Sequence, residues 1–233
     1  MKKFVFAIFL ATAACLISSC ELDNYDAPDG CIRGEIIDSG TGEAMPLPVE
    51  GSTGAVISLM EVGTKASLAH SFYAKQDGSF KNSMVFRGPY TVTATGPFKM
   101  SETYDVEIGS DTELKMYAVP YSRIDMSLQV DGMKVTVNYK VTPTEPGSRI
   151  SSVYVLWNYR LQTDVITGNN CSAKIDFSGR DQGSSIINIS NEIQYNSNKD
   201  KIAANGGKVY FRVAADVGGN INYSKVQEVI INE

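Results

Sequence analysis

Hydrophobic and polar positions follow three regimes along the chain. The first opens on Lys2 and Lys3 and runs apolar from Phe4 to Leu16, which is shorter than the about 20 residues a spanning helix requires. A charged start, a short apolar stretch and the small residues before Cys20 predict a cleaved leader over residues 1–19. The second, Glu21 to Gly30, is polar, acidic and closed by Pro28 and Gly30, and so predicts a tether over 20–29 that cannot fold alone. From Cys31 onward apolar residues recur with a period of two, in short runs broken by turn residues. No later window sustains helical spacing.

The period of two predicts strands one by one. Ile32, Gly34 and Ile36 share a face of a strand ending at Asp38, and Ser39-Gly40-Thr41-Gly42 offers positive-φ positions for the reversal. Val56–Glu61 follows. Leu68 to Lys75 and Ser79 to Val85 flank Gln76-Asp77-Gly78, where Asp-Gly predicts a hairpin. In Tyr90-Thr91-Val92-Thr93-Ala94 the threonines face solvent while the alternate residues pack. Val106 and Ile108 mark another strand, and Leu114 to Val119 a last one before Pro120.

Beyond a short joint at 120–123 the pattern resumes with Ile124 to Val130, an Asp131-Gly132 turn, and a run placing Met133, Val135, Val137, Tyr139 and Val141 on one face. One side of that sheet is wet. Further strands are predicted at Val153 to Leu161, Cys171 to Phe177, Ile186 to Ile189, Val209 to Ala215 and Val226 to Ile231. The fold class is all-β, with two β-sandwich domains in tandem, at 30–119 and 124–233.

Specific motifs add resemblances. Ile32-x-Gly34-x-Ile36-x-Asp38, Thr41-Gly42-Glu43, Asp77-Gly78-x-Phe80 and Gly88-x-Tyr90-x-Val92 together resemble the carboxypeptidase-regulatory, transthyretin-like sandwich, which implies a fold and no catalytic residues. Val209 to Ala215, Gly218-Gly219-Asn220 and Tyr223-Ser224 are similar to the last two strands of fibronectin type III domains, although Trp157 sits in a middle strand rather than earlier. Leu16-Ile17-Ser18-Ser19-Cys20 resembles the bacterial lipobox, which implies acyl chains on Cys20 and a membrane anchor. The acidic residues after Cys20 resemble a surface-export signal of gut-anaerobe lipoproteins. The whole chain resembles two-domain lipoproteins of undefined function that accompany SusC/SusD-type glycan importers. That likeness implies an outer-membrane, surface-facing location and glycan or importer partners.

Charge narrows the partners. Loss of Lys2 and Lys3 with the leader leaves 19 basic against 26 acidic side chains, which excludes the basic field that nucleic acid requires. About 214 mature residues suit two domains of about 100 each. Only Cys31 and Cys171 keep free sulfurs, one in each expected domain, so they are read as packed thiols rather than a bridge.

Chemistry is sparse. His70 is the only histidine, which excludes a multi-histidine metal site, and no nucleotide loop or serine elbow is present. No cofactor is expected. Asn196-x-Asn198-x-Asp200 imitates a calcium loop, but Lys201 stands where the turn needs glycine, so a polar loop is expected. Asn188-Ile189-Ser190 and Asn222-Tyr223-Ser224 match the eukaryotic glycosylation sequon, which the bacterial origin implied by the lipobox resemblance sets aside.

Aromatic rings suit carbohydrate, because a sugar stacks its C–H face on a flat ring while polar neighbours take its hydroxyls. Trp157 shares its strand face with Val153, Val155 and Tyr159, which favours the core. Tyr154 shares the other face with Asn158 and Arg160 and has better company for a site. Tyr117, Pro120 and Tyr121 at the joint form a second candidate, either as a crevice or as glue between the sandwiches. The expectation is a non-catalytic glycan-capturing lipoprotein. Its rivals are a scaffold that binds another envelope protein, with Trp157 buried and the tyrosines dispersed, and a glycoside hydrolase working through paired carboxylates.

Overall fold

The computed structural model describes residues 26–51, 53–100, 102–165 and 180–232; the leader, Cys20 and the strand expected at Cys171 to Phe177 lie outside them. Its architecture is all-β. The first eight strands are β1 (Gly30–Asp38), β2 (Val56–Glu61), β3 (His70–Tyr73), β4 (Ser79–Val85), β5 (Gly88–Thr95), β6 (Phe98–Met100), β7 (Tyr104–Ile108) and β8 (Thr112–Pro120). They form two sheets, ordered β4-β1-β8-β6 and β3-β2-β5-β7. Ile32, Ile36, Phe80 and Met116 from one sheet close on Ile57, Leu59, Tyr90 and Val92 from the other, all buried. Alternation explains the register. Along β5 the side chains of Tyr90, Val92 and Ala94 are buried, and Thr91 and Thr93 are only half-buried between them.

Four glycines show why they are there. β1 and β8 run parallel, with Gly34 opposite Leu114, and a Cβ at Gly34 would collide with the Leu114 carbonyl oxygen. Gly78 takes φ +89°, and its turn closes through the Gly78 N–H on Lys75 O at 3.0 Å. The strands it joins do not form a hairpin, however, because β3 pairs with β2 and β4 with β1, so Asp77-Gly78 is a corner between sheets. In the reversal after β1, Gly42 takes the positive φ of +73°. Gly40 instead makes room for the Arg123 guanidinium, which a Cβ there would strike.

The second sandwich comprises β9 (Ser122–Asp131), β10 (Lys134–Pro143), β11 (Ile150–Asn158), β12 (Gln182–Asn188), β13 (Lys208–Val217), β14 (Asn220–Tyr223) and β15 (Gln227–Ile230). One sheet is β12-β10-β9. In the other, β13 pairs with β11 on one edge and with β14 and β15 end to end on the other. Val135, Val137, Trp157, Phe211 and Val213 fill the space between them. Since β8 ends at Pro120 and β9 begins at Ser122, the joint is Tyr121 alone.

One segment departs from expectation. Residues around Asn196 and Asn198 form no loop but a helix, α1 (Ile193–Ala204), whose Tyr195 and Ile202 are buried two turns apart in the core. Asn198 leaves helical geometry at φ −130°, and its side-chain amide donates to the Gln194 carbonyl at 2.9 Å. Its side-chain oxygen accepts from Lys201 Nζ at 3.0 Å. The oxygen a calcium ion would need there is already in use.

Candidate functional site: the seam between the sandwiches

The central strands of the second sandwich are buried on both faces: every residue from Val153 to Asn158 and from Phe211 to Ala215 is buried. A sheet wet on one side alternates, whereas one covered on both reads as a near-continuous apolar run. Trp157, Phe211 and Val213 point into the sandwich, and Tyr154, Leu156 and Ala214 form a second cluster with Tyr223 on the outer face. Val165 and Ile221 pack against that cluster, and Leu47 and Gln76 of the first sandwich reach the same face at Arg212.

Arg212 stands opposite Leu156 on this outer face and is fully buried. Its Nη2 donates to Leu47 O at 2.6 Å and Gln76 O at 3.4 Å, its Nη1 to Thr163 O at 3.3 Å and its Nε to Ser224 O at 2.9 Å. The guanidinium lies 4.4 Å from the centroid of the Tyr223 ring. Tyr223 donates to Asp164 Oδ1 at 3.0 Å, and Asp164 Oδ2 accepts the Val49 N–H at 2.9 Å. Burial pushes the arginine down to about 10, with Tyr223 and Asp164 pulling the other way, so it stays charged at neutral pH. Burial, and then Asp164, raise the Tyr223 phenol well above its usual range. Isolating a charge costs several kcal/mol, and the carbonyl oxygens of both sandwiches offset that cost.

Three further contacts stitch the seam. Arg123 holds Asp38 in a two-point grip, Nε to Oδ2 at 2.6 Å and Nη2 to Oδ1 at 2.7 Å. Burial works to raise the Asp38 carboxyl, but the bonds from Arg123 and from the Gly40 N–H outweigh it and hold it below the usual carboxylate range. Asn222 accepts the Ser122 N–H at 2.9 Å and donates to Pro97 O at 2.7 Å, so this sequon residue is a structural tie. Lys225 pairs with Glu43 at 2.7 Å in the open.

Two pockets open along the same seam. The larger, of about 860 Å³, has Glu50, Lys75, Gln76 and Asp77 on one wall and Leu161 and Gln162 on the other. Gln76 spans it by donating to Leu161 O at 2.9 Å. The smaller, of about 260 Å³, contains the Asp38–Arg123 pair with Ser122, Asp125 and Gln227. Ala44, Pro46 and Lys225 line both, so the two adjoin.

The residues singled out by sequence do not converge on one surface. Trp157 is fully enclosed in the core and Tyr154 is buried in the outer cluster. Asn158 is buried too, donating to Gln162 O at 2.9 Å, where it shapes the loop that walls the larger pocket. Arg160 is exposed, its guanidinium 5.0 Å from the Tyr159 ring. Tyr121 packs partly against the second core with Lys99 Nζ 5.3 Å from its ring, Pro120 is buried, and Tyr117 is exposed. His70 lies on exposed β3, 2.9 Å from the Asn82 side chain. Sequence reasoning missed Gln76, Asp77 and Gln162 as site residues. The available signal was the turn at Gln76-Asp77-Gly78 and the polar pair Gln162-Thr163. Among the described residues no three His, Cys, Asp or Glu side chains gather to hold a metal.

Among curated proteins none matches the chain. Solved structures match over almost its whole length. One from Parabacteroides merdae, a DUF3823 family protein, is 25% identical with a TM-score of 0.69, covering 88% of this chain and 100% of its own. A DUF3823 family protein from Bacteroides uniformis is 21% identical with a TM-score of 0.67, over 88% and 100%. Another Bacteroides uniformis structure, named "a putative carbohydrate binding protein", is 20% identical with a TM-score of 0.64, again over 88% and 100%. None of these matches indicates a catalytic family. Residues 30–120 match the family model of the N-terminal domain of DUF3823, a protein of unknown function.

Proposed function

We propose that this protein is a non-catalytic glycan-capturing lipoprotein, anchored through Cys20 on the outer face of the outer membrane and working beside a SusC/SusD-type importer. The observation that carries the binding role is the seam pocket of about 860 Å³, whose size falls within the range of small-molecule sites and whose walls mix polar side chains with Leu161 and Val226. The fold relative named for carbohydrate binding points to the same ligand class. The anchor and the importer rest on the lipobox-like Leu16 to Cys20 and the acidic tether. The test is a pair of measurements on full-length protein: retention of labelled polysaccharides by whole cells, and the membrane fraction of a Cys20→Ser variant. Capture that vanishes when the pocket is altered, together with release of the variant from the membrane, supports the proposal. A variant that stays membrane-bound overturns the anchor, and unchanged capture overturns the site.

A scaffold role is the second reading, favoured by the burial of Trp157 and by the absence, among the described residues, of any Trp or Tyr from the walls of the larger pocket. It expects a protein partner that co-purifies from membranes and no retained polysaccharide.

A further inference from the structure

We infer that the seam takes a neutral, hydroxyl-rich glycan long enough to enter both pockets, rather than an acidic or sulfated one; this rests on the glycan reading above. Charge is the first reason. The two pockets together present the carboxylates of Asp38, Glu43, Glu50, Asp77 and Asp125 against the cations Lys75, Arg123 and Lys225. Arg123 is already gripped by Asp38 and Lys225 by Glu43, which among the described lining residues leaves Lys75, two residues from Asp77, to meet an incoming anion. A uronate or sulfate would enter a field of its own sign. A sugar hydroxyl, in contrast, donates short charge-assisted bonds to the exposed Glu50 and Asp77, and its C–H face meets Val49, Leu161 and Val226.

Continuity is the second reason. Where the pockets adjoin, at Ala44, Pro46 and Lys225, the ion pair of Lys225 with Glu43 is 64% exposed on both sides, so water already competes for it and a hydroxyl can replace either partner. Each pocket also has a wall residue whose shielded polar atom lacks a protein partner, Gln76 Oε1 in the larger and Ser122 Oγ in the smaller. A chain crossing from one pocket to the other therefore gains contacts with length.

The test is calorimetric titration of the full chain in detergent with oligosaccharides of roughly one to six sugars, cut from glucan, mannan, galactan and xylan on one side and from polygalacturonate and carrageenan on the other. At least one neutral series is expected to bind, with affinity rising about tenfold or more as the chain lengthens. Glu50→Gln with Asp77→Asn is expected to weaken all lengths about tenfold, whereas Asp125→Asn removes only the gain with length; a thermal melt confirms that each variant is folded. Equal or tighter binding of an acidic series, or affinity independent of length, overturns this inference and leaves glycan capture standing. No binding by any series overturns both.

Discussion

Arg212 Nη2 reaches the carbonyl oxygen of Leu47 at 2.6 Å, joining the two sandwiches across 165 positions of sequence. This is a charged donor reading main chain in a place without solvent, and it ties the larger pocket to the fold, because the same guanidinium also holds the Gln76 carbonyl.

Replacing Arg212 with Met leaves the Leu47, Thr163 and Ser224 oxygens without this donor, and the loss is expected to be about 3 kcal/mol or more. Arg212→Lys is expected to rescue little, since one ammonium cannot span oxygens arranged for a planar fork. Urea denaturation of both variants checks this; a midpoint for Arg212→Lys equal to that of the natural chain would refute it.

The Asp38–Arg123 grip carries a pH signature. Asp38 has a folded pKa below its ordinary 3.8, so its contribution is complete above the unfolded value and is lost as pH falls through the folded one. The stability gap between the natural chain and Asp38→Asn is therefore expected to be widest near neutrality and to shrink as pH falls below 3.8. Denaturant midpoints measured across that window give the slope directly.

Gly34→Ala is expected to cost upward of about 2 kcal/mol, because the new methyl must displace the Leu114 carbonyl and with it the parallel pairing of β1 and β8. A melt of this variant should fall well below that of Gly42→Ala, whose side chain meets open space and bears only the cost of its φ of +73°.

Trp157, the chain's single tryptophan, is fully buried, so its fluorescence is expected to be blue-shifted, inaccessible to iodide and indifferent to added glycan. Trp157→Ala should lower stability by about 3–5 kcal/mol. A glycan-dependent change in emission would show that ligand binding reaches the core.

Strands were legible wherever one face was wet. β2 and β4 run over the residues that alternation picks out, and β10 buries Val135, Val137, Tyr139 and Val141 as the period of two requires. α1 was hidden because only Tyr195 and Ile202 anchor it and the intervening residues are nearly all polar, so its helicity comes from docking rather than from pattern. The short β6 escaped for want of length. The site was less legible, since its walls come from a turn near position 76, a loop near 162 and the connection between β14 and β15 at 225–226 that only folding brings together. Arg212 did offer a clue: an arginine inside Val209 to Ala215, where both neighbouring faces are apolar, has no solvent to point to and must be met by acceptor oxygens from other elements.

Because that guanidinium grips peptide oxygens and no side-chain acceptor, residues 47, 76 and 163 can drift in identity without breaking it. Divergent descendants can thus inherit the same angle between their halves while rewriting the lining that chooses a ligand.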